Sequence, residues 1–160
     1  MRRVLLLRHA KTEHDAPSGQ DQDRRLDDRG RLDAAAIGGW IVRQAMQDAA
    51  RADAAPPKVE SLDELYAADP AQILQIIRMA ETTSLRQLMV IGHNPGMHEL
   101  ALALAGSGDA AAKKALEDNL PTTGLAVLDF AIEDWNEVAF RRGTLVRFTS
   151  PKLLKQNSDD

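Results

Sequence analysis

The chain has 160 residues, no cysteine and a formal net charge of −4. That length suits one domain with its own core, and the missing cysteines exclude a disulfide framework, thiol catalysis and cysteine-ligated zinc. With 44% hydrophobic and 28% charged residues the composition is that of a folded globular chain, and the acidic balance speaks against a nucleic-acid partner.

The opening Met1-Arg2-Arg3 and the apolar Val4-Leu5-Leu6-Leu7 are too short for a secretory signal, because Arg8-His9 ends the run. No stretch nears the roughly 20 apolar residues of a membrane span. The expectation is a cytoplasmic protein with no membrane partner. Val4–Leu7, bounded by charges, reads as a strand buried on both faces. A polar loop with Pro17, Ser18 and Gly19 follows, to about Asp28. Asp27 or Asp28 then caps a helix carrying Leu32, Ala35, Ala36 and Trp40. Its apolar pattern weakens through Ile41, Val42, Ala45 and Met46. The alanine-rich stretch 45–55 is helical on propensity until Pro56-Pro57 stops it.

A short strand or turn is expected around Ser61-Leu62. Asp69-Pro70 opens a helix whose apolar face is Ile73, Leu74, Ile76 and Ile77. Leu88-Met89-Val90-Ile91 is a second buried-strand run. Gly92-His93-Asn94-Pro95-Gly96 makes a tight turn into a helix from about Met97 to Ala105, ended by Gly106. Residues 110–116 read as further helix, and Gly124–Ile132, Glu137–Arg141 and Thr144–Phe148 as strands. Thr122 and Thr123 read as shaping the turn before the first of these. The sum is an α/β fold: a three-layer sandwich with a mostly parallel sheet, helices on both faces and an antiparallel edge. One domain spans 1–151, with a C-terminal tail over 152–160.

Two apolar strands each end in histidine, Leu7-Arg8-His9 and Ile91-Gly92-His93. In open α/β sheets ligands bind beyond the carboxyl ends of strands. If these strands are parallel neighbours, His9 and His93 meet at one rim with Arg8 beside them. Two imidazoles and a guanidinium suit an oxyanion, since the arginine fork bonds two oxygens at once. Gly92 permits close backbone approach, and the Asn94–Gly96 turn leads to a helix N-terminus, which favours anions. His14 reads as solvated. His93 and His98, five apart, do not match the i, i+4 spacing of helical zinc ligands, so no metal site is expected.

Leu5-Leu6-Leu7-Arg8-His9-Ala10-Lys11-Thr12 resembles the Arg-His-Gly signature of the histidine phosphatase superfamily, with Ala10 in place of glycine. Val90-Ile91-Gly92-His93-Asn94-Pro95 resembles its second histidine motif. The small bacterial branch, the SixA-like phosphohistidine phosphatases, matches best. Leu26–Gly30, Leu62–Tyr66, Pro121–Leu128 and Phe148–Pro151 also agree. The resemblance implies catalysis by His9, Arg8 and His93. His9 takes the phosphoryl group as a covalent phosphohistidine; Arg8 and His93 hold its oxygens, with Thr12, Gly92 and Asn94 on the substrate side. Glu64, in a Leu-x-Glu context, is the candidate proton donor, with a solvated carboxylate as the alternative. No cofactor is implied, because cationic side chains take a metal's role. The partners implied are a phosphorylated protein of a signalling type or a small phosphate ester, with inorganic phosphate as product.

One departure matters. Family members carry a strand after the first helix that ends in Ser-x-x-x-Arg-x-x-Gln-Thr, and its arginine completes the phosphate pocket. Here Trp40 runs almost directly into Val42-Arg43-Gln44. Arg43 is a helix-surface charge, part of the tail of that motif with Gln44, or, like Arg51, a substitute for that arginine. The alternative function is therefore a phosphate-binding module of the same fold with catalysis weakened or lost.

Overall fold

The computed structural model describes residues 1–47, 57–80 and 85–158. The chain forms two compact units, Met1–His9 with Glu64–Asp160, and Ala10–Asp63.

The larger unit is built on five strands. They are β1 (Arg2–Arg8), β2 (Gln87–Gly92), β3 (Ala105–Gly108), β4 (Leu125–Phe130) and β5 (Gly143–Thr149), and their order in the sheet is β2-β1-β4-β5-β3. The elements follow the chain as β1, α1 (Asp28–Gln47), α2 (Pro70–Arg78), β2, α3 (Gly96–Leu104), β3, α4 (Ala110–Asp118), β4, β5 and α5 (Pro151–Gln156). β1 and β2 are parallel neighbours, with Leu7 opposite Ile91 and Arg8 opposite Gly92. β4 runs against both β1 and β5, whereas β3 runs with β5. The mixed α/β sheet is thus as expected, but its reversed strand lies in the middle rather than at an edge.

Alternation along the strands sends Val4, Leu6, Val90, Ala126 and Leu128 to one face. There they form a single buried cluster with Ile73 and Ile77 of α2, Leu100 and Leu104 of α3, and Leu116 of α4. Arg3 fixes the β1–β4 register by a two-pronged pair with Asp129, Nε to Oδ1 at 2.7 Å and Nη2 to Oδ2 at 2.9 Å. Asp69 and Gln72 close a capping box before α2, and Pro70 takes the first helical position.

Two expected elements differ. Glu137–Arg141 is not a strand: Asp134 and Glu137 cap a 3-10 turn at Trp135–Glu137, and that local closure outweighs the alternation of Val138 and Phe140. Gly106 does not cap a helix. α3 stops at Leu104, and Gly106 lies in β3 because a Cβ there would stand 1.9 Å from the Arg141 carbonyl oxygen. Ser61-Leu62, expected as a short strand or a turn, leads into a 3-10 turn at Asp63–Leu65. In the expected tail, Ser150 caps the short helix α5 through its hydroxyl, which accepts from the Leu153 N–H at 3.3 Å. No described helix is long and apolar enough to cross a membrane.

In the smaller unit Thr12 bridges Leu26, and Asp27 caps α1 by accepting the Gly30 N–H at 2.7 Å. α1 continues unbroken through Trp40–Arg43 to Gln47. The part of the expected helix at 48–55, Arg51 included, lies outside the described residues. Among the described residues no strand falls between α1 and β2 in the chain, which leaves β2 at an edge of the sheet.

The Gly30 N–H bond, and secondarily Lys11, hold the Asp27 carboxyl below its ordinary value. A depressed carboxyl stabilises the fold above its unfolded value, about 3.9, and loses that contribution as pH falls through the lower folded value. The expected result is that Asp27→Ala lowers the melting temperature by a constant amount above about pH 5. The gap to the unsubstituted protein should then narrow as pH falls below about 4. Melting curves across pH 3–7 measure it, and a gap that widens in acid contradicts the assignment.

Candidate active site

The parallel pairing of β1 and β2 ends both strands at the same level. Their next residues, His9 and His93, therefore emerge side by side, and the His9 N–H donates to the Gly92 carbonyl at 2.9 Å. The two rings stack with centroids 4.9 Å apart and planes inclined by 12°. His9 Nε2 and His93 Nδ1 share a hydrogen bond of 2.6 Å, whose donor depends on the tautomers. His93 is exposed and His9 half-buried, so the pair faces solvent.

Arg8 lies beside this pair. Its Nη1 donates to the Leu120 carbonyl at 3.1 Å, while its Nε is buried with no hydrogen-bond partner. Burial lowers the guanidinium from its ordinary value by disfavouring the charged form. A half-buried cation with an unmatched N–H is what an anion relieves.

Asn94 Nδ2 donates to the same Leu120 carbonyl at 2.9 Å, and its Oδ1 accepts the His98 N–H at 3.2 Å. One carbonyl thus ties the arginine to the loop that carries His93. His98 Nε2 donates to the Leu116 carbonyl at 2.6 Å, so it belongs to the α3–α4 packing. Gly92 meets the Met97 side chain: a Cβ would lie 2.7 Å from its sulfur.

The turn Pro121–Gly124 lines the other side. Gly124 accepts the Arg8 N–H at 2.9 Å, and the Thr123 N–H donates to the His9 carbonyl at 3.3 Å. Leu120 and Thr123 were missed as parts of the site. The Leu120 contribution is a backbone carbonyl, which leaves no side-chain signal.

Five predicted residues thus come together: Arg8, His9, Gly92, His93 and Asn94. Glu64 is exposed on the 3-10 turn Asp63–Leu65. That turn leads to Ala68, whose carbonyl packs against Gly96 at the start of α3. Thr12 and Arg43 belong to the smaller unit. Thr12 is half-buried at its bridge to Leu26. Arg43 is exposed on α1, its Nη1 3.3 Å from where a Cβ on Gly39 would stand. No group of three His, Asp or Glu among the described residues is arranged to hold a metal ion.

No protein-family model matches the chain. An uncharacterised protein of Mycobacterium leprae is 30% identical over 168 residues, which cover 91% of this chain and all of that one. An uncharacterised protein of Mycobacterium tuberculosis is 32% identical over 164 residues, with the same coverage. Among solved structures, one named as the phosphohistidine phosphatase SixA of Agrobacterium tumefaciens is 31% identical. It has a TM-score of 0.65 and covers 94% of this chain and 99% of that one. A SixA structure from Nakamurella multipartitia has a TM-score of 0.71 at 21% identity, covering 94% of this chain and 96% of that one. Its likeness is one of fold. With both histidine motifs in place on that fold, the chain belongs to the histidine phosphatase superfamily, in its SixA-like branch.

Proposed function

We propose that the chain is a phosphatase that takes a phosphoryl group onto His9 Nε2. The observation that supports it is the pairing of His9 Nε2 with His93 Nδ1 at 2.6 Å, beside a half-buried arginine with an unmatched N–H. A neutral His9 attacks phosphorus through the Nε2 lone pair; the Nε2–P bond forms as the bond to the leaving group breaks. His93 Nδ1–H turns from His9 to a phosphoryl oxygen, and Arg8 holds the others, so charge in the transition state meets fixed donors. Glu64 supplies the proton that the leaving group takes. Water then attacks the phosphohistidine, giving a proton back to Glu64 as the Nε2–P bond breaks, so inorganic phosphate leaves with His9 and Glu64 restored. The site stands at a sheet rim with an exposed His93, which suits a phosphohistidine presented on a protein better than an enclosed small ester.

The second reading, a phosphate-binding module without turnover, rests on the unbroken course of α1 through Trp40–Gln47, where the family's arginine strand would begin. A phosphohistidine peptide and an aryl phosphate, assayed with calorimetry of inorganic phosphate, separate the two. Turnover supports the phosphatase; binding without turnover supports the module; neither result rejects both. In the same assay Arg8→Lys should weaken phosphate binding by about 10- to 100-fold. That change replaces a planar fork by a point charge and forfeits one or more charge-assisted hydrogen bonds of roughly 1.5–3 kcal/mol. Unchanged affinity would remove Arg8 from the site.

A further inference from the structure

Among the described residues, the buried side-chain atoms without a hydrogen-bond partner are Arg8 Nε, Thr123 Oγ1 and, in the smaller unit, Arg24 Nε, which is ion-paired with Asp21 Oδ1 at 3.0 Å. Two of the three lie at the candidate site. One is a donor, and the other, a hydroxyl, can accept. Their backbones are tied together: the Thr123 N–H donates to the His9 carbonyl, and Gly124 accepts the Arg8 N–H.

Thr123 is a costly residue for its place. It is 1% exposed, so its unpaired hydroxyl is withdrawn from water. Its φ of 59° lies in the left-handed region, which a β-branched residue rarely adopts. Glycine would meet the backbone demand, and valine would fill the same volume without an orphaned hydroxyl. Neither cost is needed to close the turn, which the Gly124 N–H already does by donating to the Pro121 carbonyl at 2.7 Å. Costs of this kind cluster where a site uses them.

We infer that Thr123 is a positioning residue for Arg8: when a phosphoryl group engages the guanidinium, Thr123 Oγ1 accepts the Arg8 Nε–H. The fork is then held at two points, Nη1 by the Leu120 carbonyl and Nε by Thr123. Its remaining N–H groups stay aimed at the phosphoryl oxygens. The inference rests on the phosphoryl-binding reading above. It assigns Thr123 no contact with substrate, in keeping with its burial.

Thr123→Val and Thr123→Ser test it, with inorganic phosphate and orthovanadate as probes. Thr123→Val keeps the shape and loses the hydroxyl. The expected result is an approximately tenfold rise in phosphate Kd and in KM for an aryl phosphate, with a smaller change in kcat. The melting temperature without ligand should stay level or rise, because an unpaired buried hydroxyl has been replaced by a methyl. Thr123→Ser should bind phosphate like the unsubstituted protein. In nitrogen-15 spectra the Arg8 Nε–H signal, assigned by its loss in Arg8→Lys, should move by the same amount at saturating phosphate in the unsubstituted and Ser proteins and by clearly less in Val. Phosphate affinity in Thr123→Val equal to the unsubstituted protein's overturns the inference, as does loss of affinity in Val and Ser alike with lowered melting temperatures. If the unsubstituted protein binds neither probe, the phosphoryl-binding reading fails and this inference with it; if it binds and Val matches it, this inference alone fails.

Discussion

His9→Ala should abolish phosphoryl transfer, lowering kcat by on the order of 10⁴-fold or more, because no other group takes over nucleophilic attack. His93→Ala should cost less, about 10²- to 10³-fold, since it removes one donor to the phosphoryl oxygens and leaves the nucleophile in place. Both rings stand at the rim, and His93 is exposed, so stability should stay within about 0.5 kcal/mol in each variant. Equal losses in both variants would instead favour a binding site in which the two imidazoles act as one clamp. Acid-labile phosphate on the protein after a rapid quench, present in His93→Ala and absent in His9→Ala, separates nucleophile from clamp directly. A His9→Ala protein that turns over at the original rate would sink the covalent reading.

The rim that carries this chemistry was legible because two continuous apolar runs, Val4–Leu7 and Leu88–Ile91, each end in a histidine. Parallel pairing of such runs makes the histidines neighbours without any long-range information, and β1 and β2 pair in that way. The cap of α2 was equally plain, since Asp69-Pro70 and Gln72 are local signals. Other features depended on distant partners. β3, Ala105-Gly-Ser-Gly, has no strand propensity; it is a strand because β5 accepts it and Gly106 lets the Arg141 carbonyl come close. Val138 and Phe140 alternate like a strand, yet the Asp134–Glu137 capping box turns the chain first. The central place of β4 is a matter of topology, which periodicity does not encode. In the site, the Leu120 carbonyl was invisible because any residue supplies one, and Thr123 passed for a turn former because its burial and φ are properties of the folded chain.

Gly96→Ala should be among the most damaging single-methyl additions in the chain. A Cβ at Gly96 would stand 2.0 Å from the Ala68 carbonyl oxygen and 3.2 Å from its carbon. Backbone cannot swing aside as a side chain does, so α3 or the Ala67–Ala68 segment must shift bodily. Ala67 already sits at a φ of 52°, which leaves that segment little freedom to give. The expected cost is about 3 kcal/mol or more, read as a lower urea midpoint at unchanged slope. Activity should fall further than stability explains. The Met97 N–H donates to the His93 carbonyl at 3.1 Å, so a displaced first turn of α3 drags His93 away from His9 and breaks a contact of 2.6 Å. Gly38→Ala is the control. Gly38 lies within α1, and a Cβ there meets nothing within 4 Å. The same methyl should stabilise that helix by about 0.5–1 kcal/mol through backbone entropy alone. Opposite signs from one chemical change would show that packing at the neck of the His93 loop, and not glycine itself, sets the cost. A Gly96→Ala protein with the original midpoint would mean that the α3 N-terminus is not held against Ala68.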